Sequence, residues 1–293
     1  MSLSSYSDWQ PWDDGPRLSE RSLLETLDGG QAFRWQRKPD YLEGRWLTHT
    51  VRIRSENGRL FIALPKTTSL DTLLPALRTY FAFDTNFDAL TDALPWRNDP
   101  ILKAAITAFP GLRILRQPFG ETLFGFLCSS TKQIPQIRLI HTAVAQSIGS
   151  RTNDGGHALP TWKQIAEAGE APLRAAKLGY RARYIHATAL FLEANPGWLE
   201  AVEQSPTDIA RERLLQLPGV GRKIADCVLL FGAGRLEAFP IDTWVQKILI
   251  RAYGLEGWTL PQLQQFAAIH FGPTAGYAQQ YLFAAARADL IPA

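Results

Sequence analysis

The hydrophobic period changes once along this 293-residue chain, at Ser69. Before that point, residues 20–64 read as strands. Phe33-Arg34-Trp35, 41–47, 51–54 and 60–64 alternate in polarity or are rich in β-branched and aromatic residues. Gly44 and Asn57-Gly58 supply turns, and Asn-Gly between apolar runs marks a tight hairpin. After that point, Leu70, Leu73, Leu74, Leu77 and Phe81 follow helical spacing. Helical segments separated by Pro and Gly then run to the C-terminus, at 101–109, 121–131, 135–148, 161–168, 180–193, 207–216, 222–231, 243–253, 261–271 and 274–286. Residues 151–159 form a polar loop around Gly155-Gly156. This pattern predicts an α+β chain, with a β-rich domain over 1–98 and a mainly helical body over 99–293. The boundary falls near Pro95–Pro100.

A chain that is 46% hydrophobic at this length supports a sizeable core. No apolar run is long enough to span a bilayer, so no membrane partner is expected. Residues 1–15 are polar and acidic, with Trp9 and Trp12, and do not read as a secretory signal. Two distant cysteines, Cys128 and Cys227, argue against a disulfide framework and cannot hold a cysteine-ligated cluster. A cytoplasmic protein is the expectation, nucleoid-associated in a bacterium, with a nuclear location left open. The net charge of +3 permits nucleic-acid binding without requiring it. Basic residues cluster at Arg174, Lys177, Arg181 and Arg183, and again at Arg211, Arg213, Arg222 and Lys223. Such runs are most often solvated helix faces.

One junction carries more information. A helix ends at Leu217-Pro218-Gly219-Val220-Gly221 and an amphipathic one begins at once. Gly219 and Gly221 open a helix whose first N–H groups and positive end suit a phosphate. By itself the turn is equally a helix corner closed by a capping glycine. Lys223 follows, beside Ile224, Cys227 and Val228, with Arg222 adjacent. Apolar neighbours and a second cation are surroundings in which a lysine amine becomes a nucleophile, although most lysines in a first helical turn are solvated. Further on, Asp242 in Phe239-Pro240-Ile241-Asp242-Thr243 is placed to cap the next helix. Capping alone would explain it.

The stretch from Leu217 to Phe231, followed by Phe239–Thr243, resembles the signature of the helix-hairpin-helix DNA glycosylases. Three further segments resemble the 8-oxoguanine DNA glycosylase/lyase branch: Gly30-Gln31-Ala32-Phe33-Arg34-Trp35, Gly179-Tyr180-Arg181-Ala182-Arg183-Tyr184, and Ala275-Gly276-Tyr277-Ala278-Gln279 through Phe283. They fall in family order over almost the whole chain. The resemblance implies an N-terminal domain like half of the TATA-binding protein, joined to a helical glycosylase body. It implies a monomer acting on double-stranded DNA that contains an oxidised purine. No cofactor or metal is required, and a monovalent cation at the hairpin is allowed.

The resemblance also implies roles. Lys223 matches the Schiff-base nucleophile and Asp242 the carboxylate beside it. Cys227 and Phe283 match the two faces that sandwich the flipped base. Gln279 matches the reader of its Watson–Crick edge, and Gly30 the glycine whose carbonyl accepts N7–H of 8-oxoguanine. Tyr180 and Arg181 match groups that wedge the stack and contact the opposite strand. Gly219 and Gly221 match the phosphate-binding hairpin. After Cys128-Ser129-Ser130 the eukaryotic branch carries asparagines and a later arginine. Here Thr131, Lys132, Gln133 and Gln136 stand there, and Trp244 replaces a frequent histidine. Thr131 and Lys132 become candidate DNA contacts. Two rivals remain open at this point: a glycosylase for another damaged purine, such as an alkylated one, and a non-catalytic helix-hairpin-helix module. The first class uses the aspartate without the lysine; the second needs neither Lys223 nor Gly30.

Overall fold

The computed structural model describes residues 5–293; the first four residues of the expected non-signal N-terminus lie outside them. Five strands form one antiparallel sheet: β1 (Gln10–Pro11), β2 (Trp35–Arg37), β3 (Leu42–Trp46), β4 (His49–Glu56) and β5 (Arg59–Ala63). Their order is β1-β5-β4-β3-β2. The β4–β5 hairpin pairs Glu56 with Arg59 around Asn57 (φ 51°) and Gly58 (φ 79°), the two positive φ angles that a tight Asn-Gly turn requires.

Two expectations for this region are corrected. Residues 20–28 are not strand but a helix, α1 (Glu20–Asp28). The Ser19 hydroxyl accepts from Ser22 N at 3.1 Å, and Leu23 and Leu27, one turn apart, are buried. Gly44 is not a turn residue. It pairs with Trp35 inside the sheet, and a Cβ there would stand 2.4 Å from the Trp35 ring. The turn lies between Trp46 and His49, where Leu47 takes a φ of 47°.

The other helices are α2 (Leu70–Tyr80), α3 (Phe87–Ala93), α4 (Pro100–Ala108), α5 (Phe119–Ser129), α6 (Ile134–Ile148), α7 (Trp162–Ala168), α8 (Glu170–Ala175), α9 (Arg181–Ala194), α10 (Trp198–Gln204), α11 (Thr207–Leu214), α12 (Arg222–Phe231), α13 (Thr243–Tyr253), α14 (Leu260–His270) and α15 (Ala275–Arg287). The chain is therefore a β-rich N-terminal part followed by a mainly helical body.

Buried apolar residues form two clusters. One lies between the sheet, α1 and α2, with Trp35, Ile53, Leu73 and Phe81 among its members. The other fills the helical body and takes in Ala82, Phe87 and Leu94. Membership therefore changes between Phe81 and Ala82, with two crossings. Leu115 joins the first cluster, and Phe33 joins the second, edge-on to Phe126 (centroids 5.3 Å) and His141 (5.4 Å). Gly125 makes room for it, since a Cβ there would meet the Phe33 ring at 3.0 Å. Burying such a side chain stabilises by about 1.5–3 kcal/mol. The consequence is positional: the segment between α1 and β2, which carries Gly30, is pulled against the helical body.

Candidate active site

Lys223 occupies the first turn of α12, directly after the hairpin, and is half-buried. Its Nζ donates to Ser129 Oγ at 3.4 Å and lies 5.2 Å from the centre of the Phe126 ring. Phe126 in turn stacks on Phe231 (5.5 Å). Cys227, one helical turn after Lys223, is 3% exposed. Burial pushes its thiol up to about 12, against the opposing pull of the Lys223 charge; Asp242 raises it further. The sulfur thus stays a neutral thiol at physiological pH, an apolar surface rather than a rival nucleophile. Lys223 and Asp242 both act electrostatically on the Cys227 thiol, so the three residues lie near one another.

Asp242 caps α13 with one carboxylate oxygen: Oδ1 accepts from Trp244 N (2.9 Å) and Val245 N (2.8 Å). Among the described residues, no hydrogen bond is made to Oδ2. One atom serves the fold, and the charge remains available to a cation nearby. Arg222, expected to act on Lys223, instead turns back to Asp226 (3.6 Å), which also pairs with Arg211 at 2.6 Å. Asp226 is buried and ties α11 to α12 across the hairpin. Sequence reasoning missed it.

Gly30 and Phe283 form a second group. Gly30 has a φ of 117°, a conformation essentially confined to glycine. A Cβ there would meet Ile134 Cδ1 at 3.0 Å and Phe283 Cε1 at 3.9 Å. Gln279 lies one turn before Phe283 on the same face of α15 and is buried, its Oε1 accepting from Gln280 Nε2 at 2.8 Å. Gln31, also missed as a site residue, fixes the loop. Its amide bonds to Arg113 O (2.8 Å) and Leu115 N (3.0 Å), and its own carbonyl accepts from Gln117 Nε2 (2.7 Å). The Gly-Gln pair in the sequence carried that signal, because a buried amide needs partners of this kind.

At the hairpin, Gly219 takes a φ of 79° beneath Tyr184, whose Cβ a methyl there would approach to 2.9 Å. Gly221 is exposed with open space around it. The first intrahelical bond of α12 is Ala225 N to Gly221 O, and no side chain caps the helix. Its leading N–H groups therefore face outward, as a phosphate site requires. For a monovalent cation the hairpin offers carbonyls, of which Leu217 O already accepts from Val220 N (3.1 Å). Among the described residues, no unpartnered buried side-chain atom marks a cation site there.

Tyr180 is 55% exposed, edge-on to Tyr184 (6.1 Å), with the Arg181 guanidinium 4.4 Å from its ring centre. Arg181 corrects the sequence reading. It is 5% exposed, and its guanidinium donates to Ser130 O, Thr131 Oγ1 and Leu178 O. It holds the 129–131 turn instead of reaching outward. That turn is strained, since Thr131 has a φ of 53°, unusual for a β-branched residue. Lys132 is half-buried on the same turn, and Gln136 is committed to capping α6 through Gln133 N (3.0 Å).

Two family models match the chain: 8-oxoguanine DNA glycosylase, N-terminal domain, over residues 17–123, and HhH-GPD superfamily base excision DNA repair protein over residues 137–268. The chain is 33% identical over 262 residues to the N-glycosylase/DNA lyase of Saccharomyces cerevisiae, covering 80% of this chain and 69% of the relative. It is 31% identical over 285 residues to the N-glycosylase/DNA lyase OGG1 of Arabidopsis thaliana, covering 91% and 78%. Among solved structures, the Clostridium acetobutylicum 8-oxoguanine glycosylase/lyase, in complex with duplex DNA containing cytosine opposite 8-oxoG, superposes with a TM-score of 0.86. The identity is 26%, over 97% of this chain and 99% of that one. The chain belongs to the helix-hairpin-helix superfamily of base excision DNA repair glycosylases, in its 8-oxoguanine glycosylase/lyase branch.

Proposed function

We propose that the damaged purine this chain removes from duplex DNA is 8-oxoguanine. The wider activity, a DNA glycosylase with lyase action on damaged purines in base excision repair, goes with the family. The observation that supports the finer reading is the Gly30 carbonyl. Among the described residues it accepts no hydrogen bond, and the residue that carries it packs next to Ile134 and Phe283. 8-Oxoguanine presents an N7–H donor where guanine presents a bare acceptor. A carbonyl facing N7 therefore gains a bond with one and suffers an acceptor clash with the other, a difference on the order of 1–3 kcal/mol.

The chemistry follows from the lysine group. The target nucleotide leaves the stack, because its C1′ is unreachable inside a duplex. Lys223, as the free amine, attacks C1′; the C1′–N9 bond breaks and its electron pair leaves with the base. The base takes a proton, with the Lys223 nitrogen losing one. The Asp242 carboxylate stabilises the positive charge that develops on the sugar. Opening of the sugar ring gives a Schiff base. Loss of a C2′ proton then expels the 3′ phosphate by β-elimination. Cys227 and Phe283 flank the base, and Gln279 faces its edge. Gly219, Gly221, Thr131, Lys132 and Tyr180 meet the DNA, with Arg181 shaping the turn behind them.

The test is single-turnover base release from duplexes carrying 8-oxoguanine opposite each of the four bases. 3-Methyladenine and hypoxanthine duplexes serve as comparison. Release of 8-oxoguanine opposite at least one base, faster than the other lesions, is expected. Faster release of an alkylated purine, or no release of 8-oxoguanine, overturns the assignment.

A further inference from the structure

The C-terminus of α1 leaves four consecutive carbonyls, from Asp28 to Gln31, and three of them are held by side chains of the helical body. Arg138 Nη2 donates to Asp28 O (2.7 Å), Arg287 Nη1 to Gly29 O (2.6 Å), and Gln117 Nε2 to Gln31 O (2.7 Å). Among the described residues, only the Gly30 carbonyl of the four has no hydrogen-bond donor. α1 has no basic residue in its own last turn. A helix end of that kind, with orphan carbonyls and the negative end of the dipole, attracts cations from elsewhere.

The two arginines are set in the same way. On α6, Ile134 and Arg138 are four apart; on α15, Phe283 and Arg287 are four apart. Residues at this spacing share a helix face. In each case the first residue abuts Gly30 and the second grips the turn before it. Each arginine is also paired: Arg138 with the Asp28 carboxylate (2.5 Å), Arg287 with Glu25 (3.2 Å). Arg287 further lies over the Phe283 ring (5.6 Å). Gly29 serves this arrangement by absence, since a Cβ there would stand 2.2 Å from the Glu25 carboxylate.

We propose that Arg138 and Arg287 are positioning residues for damaged-base discrimination, fixing the Gly30 carbonyl against the walls made by Ile134 and Phe283. This rests on the reading of Gly30 given above. Neither arginine touches the base. Each locks the wall residue of its own helix to the loop that carries the acceptor.

The experiment uses the full chain in a Lys223→Gln background and measures affinity for an 8-oxoguanine duplex and for the same duplex with guanine. Arg287→Met or Arg138→Met should reduce the preference for 8-oxoguanine about tenfold, the effect of misaligning one hydrogen bond. Arg287→Lys, which keeps the charge and one donor, should give an intermediate preference, and it carries the test if the methionine variant does not fold. An unchanged preference, or equal losses on both duplexes, overturns the proposal while leaving the reading of Gly30 intact. If the parent protein itself shows no preference, the reading of Gly30 fails and the clamp fails with it.

Discussion

The two halves of the site are built from different materials. The lysine half is a product of neighbouring sequence: Lys223 and Cys227 lie on one helix, and Asp242 caps the next. The glycine half is a product of distance: Gly30 is held by residues 110 and 258 positions away from its neighbours Asp28 and Gly29. The first half needs side-chain chemistry. On the reading proposed above, the second needs a backbone carbonyl in a fixed place, which Gln31 on its own segment and the distant Arg138, Arg287 and Gln117 secure together. Chemistry and recognition should therefore separate under mutation.

The largest effect is expected for Lys223→Gln. Strand cleavage, at 8-oxoguanine and at a preformed abasic site alike, should fall by on the order of a thousandfold or more. Gel analysis of both duplexes checks it, and retained cleavage at the abasic site would erase the distinction between the halves. Asp242→Asn comes next. Asparagine can still accept from Trp244 N and Val245 N, so the helix cap should survive while the charge is lost. Base release should fall about 10²–10³-fold, with a melting temperature close to the parent's.

Gly30→Ala probes the other half. The φ of 117° and the 3.0 Å approach to Ile134 place its cost at about 1–3 kcal/mol of stability. Base release should suffer more than abasic-site cleavage, and single-turnover rates on the two substrates give that ratio directly. Equal losses on both would mean that Gly30 serves the fold alone.

An effect on stability alone, with none expected on base release, lies behind the loop that carries Gly30. Glu121 lines a small, partly open cavity with Gln31, Phe33 and Arg34. Burial pushes its carboxyl up to about 7, although Leu47 N–H and the Arg34 charge pull it back. A raised value in the fold means that the protonated form is favoured there. The associated stability is present below the ordinary carboxyl range and is lost as pH rises through about 7. Glu121→Gln should remove that slope and be the more stable form at pH 8 by on the order of 1–3 kcal/mol. Denaturant midpoints at pH 5 and pH 8 test it; parallel pH dependence in both proteins would contradict it.

The same contrast explains what could be read from the sequence. α12 and α13 were legible to the residue, because their periodicity, the preceding glycines and the Asp242 cap are local signals. The hairpin at Asn57-Gly58 was legible for the same reason. α1 was not, because its two buried leucines precede aromatic strand residues that dominate the pattern. Gly44 looked like a turn until Trp35 lay across it. Arg181 sits in a basic run that suggests solvent or DNA, yet it is buried against the strained Thr131 turn. Arg138 and Arg287 carry no local signal at all; only folding brings them to the end of α1.

The most direct test of the central claim is reductive trapping. The protein is incubated with an 8-oxoguanine duplex and borohydride, and the cross-linked peptide is mapped by mass spectrometry. A covalent adduct at Lys223, absent in Lys223→Gln, is the predicted result. An adduct on another amine, or base release with no adduct, would contradict the assignment of Lys223 as the nucleophile.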